Sequence, residues 1–260
     1  MSADAQQVPL LGCTFNAVTR AGVREWARQT LFSGETRLVT TVNVAILMMM
    51  RRDKLLRSFI EQSDLTVVDG QPIVWLSRLM GAPLPERVTG IDLCDDLSSV
   101  ASECQSRLYL LGGTTDVITA TRSRLSRLYP DLNIVGVRDG YFDWSEAPQV
   151  AAAIQESQAD ILLVGMGVPR QERFLNDYCR ATGVKIALPV GGSFDVLAGE
   201  KRRAPKPIQD TGLEWLFRLL QEPRRLFWRY ATTNTQFLGL AVNALTKRWV
   251  FKAERKSEFD

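Results

Sequence analysis

Histidine is absent from all 260 residues. No Ser-His-Asp triad, Cys-His pair or His-ligated zinc or iron site can therefore be built. Cysteine is scarce: Cys13, Cys94, Cys104 and Cys179 form no Cys-x-x-Cys pair and no metal-binding spacing. They read as reduced thiols of a cytoplasmic protein. The start, Met1-Ser2-Ala3-Asp4-Ala5, lacks the basic and apolar regions of a signal peptide. Long hydrophobic runs are missing too. The stretches around Val42–Met50 and Phe237–Leu245 are about half of the ~20 residues that a spanning helix needs. A cytoplasmic chain that does not cross a membrane is expected.

What is present is an ordinary globular composition, 45% hydrophobic and 23% charged, enough for a sizeable core. The net charge of +3 conceals an asymmetry. Residues 201–260 carry 13 Lys+Arg against 6 Asp+Glu, whereas residues 1–200 carry 19 against 23. An acidic body with a basic tail points to an anionic partner at the tail, a membrane surface or a nucleic acid.

Strand and helix signals alternate along the body. Apolar runs at Leu10–Phe15, Leu38–Val42, Leu65–Val68, Leu108–Leu111, Ile134–Val137, Ile161–Gly165 and Ile186–Val190 read as strands, several of them buried on both faces. Helical patterns fall between them at Ala21–Leu31, Ala45–Glu61, Ile91–Cys104, Thr115–Leu128, Ala147–Gln158 and Gln171–Ala181. The alternation predicts an α/β, Rossmann-like fold, a mainly parallel sheet with helices on both faces. After Gly199 the strand signal stops, and Leu213–Leu220, Arg224–Thr232 and Gln236–Lys247 read as helices. The expected division is a core over 1–199 and a basic, helical appendage over 200–260.

Parallel sheets bind ligands at the carboxyl ends of their strands. The residues to weigh are therefore Thr41 and Asn43, Asp69-Gly70, Gly112-Gly113, the run Gly165 to Glu172, and Gly191-Gly192. Gly165-x-Gly167 resembles a dinucleotide turn, but Arg170 occupies the third glycine position and the fingerprint fails. Pro169 followed by Arg170-Gln171-Glu172 starts a helix, either a plain N-terminus or one offering backbone donors and the Gln171 amide to an anion or a base edge. Gly112-Gly113 is a turn where a backbone can approach a ligand closely. Asp69 ends a buried strand, and two roles are open to it: capping the next helix, or acting as a partly desolvated general base. The tail threads Arg218, Arg224, Arg225 and Arg229 between Trp215, Phe217 and Tyr230, a candidate phosphate clamp beside a membrane.

Thr41-x-Asn43, Asp69-Gly70, Glu86-Arg87-Val88-Thr89-Gly90-Ile91-Asp92, Leu111-Gly112-Gly113, Gly140-Tyr141-Phe142, Gly165-x-Gly167-x-Pro169-x-Gln171-Glu172, Gly191-Gly192-x-Phe194-Asp195, Arg203-Ala204-Pro205 and Gly212-Leu213-Glu214-Trp215 occur in one order. Together they resemble the WecG/TagA/CpsF family of bacterial glycosyltransferases, over roughly Leu10 to Tyr230. The resemblance implies a GT-E type fold and an inverting enzyme. Such an enzyme moves a sugar from a UDP-sugar to a sugar linked through pyrophosphate to undecaprenol, at the inner face of the cell membrane. It also implies roles: Asp69 as base with Thr41 and Asn43 beside it, and Arg87 and Gln171 lining the pocket. Arg218, Arg225 and Arg229 would close over it. Gly112, Gly113, Gly167, Glu172 and Gly192 join the expected substrate-binding set. Ala45 departs from the pattern, since many members carry an acidic residue there. The expected donors are UDP-linked N-acetylmannosamine, its uronic acid or glucose.

No Asp-x-Asp occurs, and Asp95-Asp96 lies inside a helical pattern, so no cofactor and no metal is expected; arginines and helix N-termini would carry the pyrophosphate charge. Phe237, Leu238, Leu240, Ala241, Leu245 and Trp249 recur at helical spacing before Lys247, Arg248, Lys252, Arg255 and Lys256. That pattern suits either an interfacial helix on anionic lipid or a homo-oligomer interface. Two other classes fit parts of the chain. A nicotinamide-dependent oxidoreductase would use such a sheet but lacks the fingerprint. A nucleic-acid binder would use the basic tail, but here the core is acidic.

Overall fold

The computed structural model describes residues 6–257, with the side chains at 210, 225 and 250–257 outside the description. Two short strands, β1 (Gln7–Leu10) and β2 (Cys13–Asn16), pair antiparallel. Six more follow: β3 (Arg37–Val42), β4 (Leu65–Val68), β5 (Arg107–Gly112), β6 (Asn133–Arg138), β7 (Ile161–Gly165) and β8 (Ile186–Pro189). They form one all-parallel sheet in the order β4-β3-β8-β7-β5-β6. The helices are α1 (Arg20–Ser33), α2 (Val44–Met49), α3 (Lys54–Glu61), α4 (Gln71–Leu79), α5 (Gly90–Glu103), α6 (Thr115–Leu128), α7 (Ala147–Glu156), α8 (Arg170–Thr182), α9 (Ser193–Ala198), α10 (Lys206–Asp210), α11 (Glu214–Gln221) and α12 (Pro223–Ser257).

The sheet separates two apolar layers, which is why its strands carry no polar alternation. Leu162, Val164 and Ala187 pack into the layer that includes Phe59 and Phe174, while Leu163, Ile186 and Leu188 pack into the layer that includes Leu97 and Phe194. The expected Rossmann-like α/β architecture is observed.

Three elements differ from expectation. Leu10–Phe15 is not one strand: Leu11 and Gly12 turn through positive φ and fold the run into the β1–β2 hairpin, apart from the main sheet. Ala45–Glu61 is not one helix, because Asp53 accepts from Leu56 N and starts α3 afresh. Conversely, the two helices expected at Arg224–Thr232 and Gln236–Lys247 are one, α12. Thr-Asn-Thr at 233–235 reads as a break by propensity. Here Thr233 and Thr235 donate back to the carbonyls of Arg229 and Ala231, while Phe237 and Ala241 anchor the next turns in the core. Sequence patterning also leaves α4 unmarked, although Pro72 stands in its first turn, where a proline suits a helix start.

Candidate functional site

The carboxyl ends of β4, β3, β8 and β7 open into a cavity of about 720 Å³. Strand order explains the location. The chain builds β3 and β4 on one side, crosses to β5 and β6, then fills the gap with β7 and β8. The turns after these strands therefore face one crevice.

Thr41, Asn43, Asp69, Arg87, Gly167, Gln171, Glu172, Gly192, Arg218 and Arg229 all line it. Gly112 and Gly113 do not. They stitch β5 to β7 instead: Gly113 N donates to the Gly165 carbonyl, and a Cβ on Gly112 (φ +133°) would stand 2.3 Å from that same oxygen. Gly112→Ala should thus lower unfolding free energy by about 2 kcal/mol or more, as left-handed strain and overpacking combine. Urea unfolding measures this. The Arg225 side chain lies outside the described residues.

Asp69 reaches the cavity because its backbone N–H still donates to the Val42 carbonyl, extending the β4–β3 ladder by one residue before the chain turns. It does not cap α4. Gly70 holds that position without a side-chain bond, and among the described residues no donor reaches the Asp69 carboxylate. Asn43 is the residue with the capping task, accepting from Ile46 N at 3.0 Å. Burial pushes the Asp69 carboxyl up to about 7, against the opposing pull of Arg218 and Arg87.

Those two arginines are brought together by Glu214, which stands in the Gly212-Leu213-Glu214-Trp215 motif but was given no site role from the sequence. Arg87 Nη1 donates to Glu214 Oε2 at 2.8 Å, and Arg218 Nη2 donates to Glu214 Oε1 at 3.0 Å. Glu214 is buried, and the arginines hold its carboxyl below the usual range despite that burial. Arg87 arrives from a loop lying along the outer edge of β4, where Val88 N donates to the Val68 carbonyl. Glu214 and Arg218 arrive on α11, so core and tail meet in one Arg–Glu–Arg unit. The i,i+4 spacing of Glu214 and Arg218 was visible in the sequence; their meeting with Arg87 was not. Lys201, not singled out from the sequence, and Arg203, quoted there only within a motif, are further cavity residues, paired with Asp195 and Asp92.

Gln171 lines the cavity, but its amide is engaged internally. Its Oε1 accepts from Gly167 N and Gly191 N, and its Nε2 donates to Glu172 Oε1 at 2.8 Å. It ties the turns after β7 and β8 together rather than offering the amide to an anion. Glu172 is 2% exposed, and burial raises its carboxyl to about 7. Its second oxygen has no partner among the described residues.

Residues 8–250 match the model of the Glycosyl transferase WecG/TagA/CpsF family. The chain belongs to that family. An N-acetylglucosaminyldiphosphoundecaprenol N-acetyl-beta-D-mannosaminyltransferase of Bacillus subtilis is 32% identical over 221 residues, covering 85% of this chain and 81% of its own. A protein with the same name from Bacillus spizizenii is 34% identical over 191 residues, covering 74% and 73%. Family membership makes the chain a glycosyltransferase and sets aside the oxidoreductase and nucleic-acid-binding readings. Among the described residues no helix is long and apolar enough to cross a membrane.

Proposed function

We propose that this glycosyltransferase moves a hexose-type sugar from a UDP-sugar to a sugar carried on undecaprenyl pyrophosphate, with inversion and without a metal. The observation that carries the reading is Asp69: a carboxylate with no capping duty, desolvated at the wall of the cavity, beside the Arg87–Glu214–Arg218 unit. Asp69 takes the proton of the acceptor hydroxyl as its oxygen bonds to the anomeric carbon. The bond from that carbon to the UDP oxygen breaks in the same displacement, which inverts the centre. Charge gathering on UDP and on the acceptor diphosphate is met by Arg87, Arg218 and Arg229. The relatives' printed names support the lipid-diphosphate acceptor and make N-acetylmannosamine the first donor to test.

In this reading residues 1–199 hold the donor and residues 200–260 close the site at the cytoplasmic face of the membrane. Exposed Leu220, Phe227 and Trp228 stand beside Arg224 and Arg229 on the tail and support that placement.

UDP should raise the melting temperature, whereas NAD and a DNA oligonucleotide should not; a shift with NAD alone would defeat the donor assignment. Transfer from a panel of UDP-sugars should survive excess EDTA. Loss of activity on chelation, restored by magnesium or manganese, would show that carboxylates here bind a cation after all.

A further inference from the structure

The cavity does not end at the charged residues. Beyond Arg229 it continues as an apolar trough lined by Met49 of α2, Trp75 and Leu79 of α4, and Leu238, Val242 and Leu245 of α12. Core side chains would be covered, yet Leu79 and Val242 are each 63% exposed and Leu238 is 62% exposed. An open apolar strip inside a binding cavity is a ligand surface rather than leftover core.

The sequence of α12 matches this geometry. No charged residue occurs between Arg229 and Lys247. Phe237 and Ala241 turn into the core and fix the helix, while Leu238 and Val242, one position on, stay open. From Arg229 to Leu245 the helix runs about 24 Å at 1.5 Å per residue. At the far end Arg248 Nη1 donates to the Leu79 carbonyl at 2.6 Å, tying α12 to the end of α4. The trough therefore has an apolar length with the arginines of the cavity at one end and Arg248, engaged with the Leu79 carbonyl, at the other.

We infer that this trough between α4 and α12 binds the isoprenoid chain of the diphosphate-linked acceptor, seated with its diphosphate at Arg218 and Arg229. The inference rests on the proposed acceptor class and adds where the hydrocarbon lies. Continuity decides the occupant. The trough and the reacting carboxylate share one cavity, so an acceptor whose hydroxyl meets Asp69 and whose diphosphate meets the arginines finds an apolar surface for its hydrocarbon within the same cavity. A phosphate alone would leave the apolar length unused, and a bilayer acyl chain carries no diphosphate for the arginines.

Farnesyl diphosphate and inorganic pyrophosphate serve as probes, with affinities measured by calorimetry on the full chain. Farnesyl diphosphate should bind at least about tenfold more tightly, the effect of burying only a couple of methylene groups. In the triple variant Leu79→Gln, Leu238→Gln, Val242→Gln the two ligands should bind alike, with pyrophosphate affinity unchanged. Unchanged pyrophosphate affinity also shows that the variant is folded. Equal affinities in the wild type, or a preference that survives the triple variant, would overturn the inference. So would a triple variant that keeps the preference while changing its oligomeric state, which would assign the strip to a second copy of the chain. Transfer assays are read separately. A wild type that prefers the prenyl ligand but transfers no sugar retains the trough and loses the proposed reaction.

Discussion

Asp69→Asn should lower kcat by about 100-fold or more while leaving UDP affinity nearly unchanged, because Asn keeps size and polarity but cannot accept a proton. Steady-state kinetics with a UDP-sugar and a lipid-diphosphate acceptor check this. Activity within a few-fold of wild type would remove Asp69 from the chemistry. The pH profile gives a second readout. Burial raises the Asp69 carboxyl to about 7, and a base works only when deprotonated, so kcat should climb through that pH. The same shift has a stability sign. A carboxyl with a raised folded-state value stabilises the fold most when protonated, and that contribution fades as pH rises from about 4 to about 7. Asp69→Asn should therefore raise the melting temperature at pH 8 and change it little at pH 4. A base that weakens its own fold at working pH is the pattern expected of a site held against local preference.

Arg218→Met should cost transfer about 100-fold or more, by removing a charge-assisted donor from the diphosphates. Arg218→Lys should recover little, since an ammonium cannot reproduce the guanidinium fork that meets Glu214 and a phosphate together. The groups acting on Asp69 are Arg218 from α11 and Arg87 from the β4 edge, which favour its charged form, and Glu214 and Asp92, which oppose it. Loss of Arg218 should thus move the rising limb of the pH profile to higher pH. Glu214→Gln should move it to lower pH, so long as the arginines stay in place. Opposite movements would establish the Arg–Glu–Arg unit as electrostatic support for the base. A merely structural role for α11 would reduce rate without moving the limb. If neither variant moves it, Asp69 is not the group that titrates in kcat.

The layered fold was readable because parallel strands covered on both faces must be apolar throughout. Leu108–Leu111, Ile161–Gly165 and Ile186–Val190 announce themselves in that way. Elements lying at the sheet's margin were less legible. The β1–β2 hairpin hides in one apolar run, because a two-residue turn at Leu11-Gly12 leaves no change in composition. The continuity of α12 hides in Thr-Asn-Thr, because hydroxyl-to-backbone bonds and a buried Phe237 override propensity.

Sequence by itself determined the chemistry open to this protein: no histidine, a carboxylate at the end of a buried strand, and arginines gathered in the tail. It could not rank that carboxylate between cap and base, since both uses place Asp at the same position. Tertiary structure takes away the capping use, by giving the α4 cap position to Gly70, and it supports the proposed base by setting Asp69 under the influence of two arginines that lie 131 residues apart in the chain. Gly112 lies away from the cavity, where strand pairing uses its turn, and Gln171 lines the cavity as expected but has its amide engaged by Gly167, Gly191 and Glu172. Which polar groups remain free to meet a ligand depends on partners distant in sequence, and only the folded arrangement contains them.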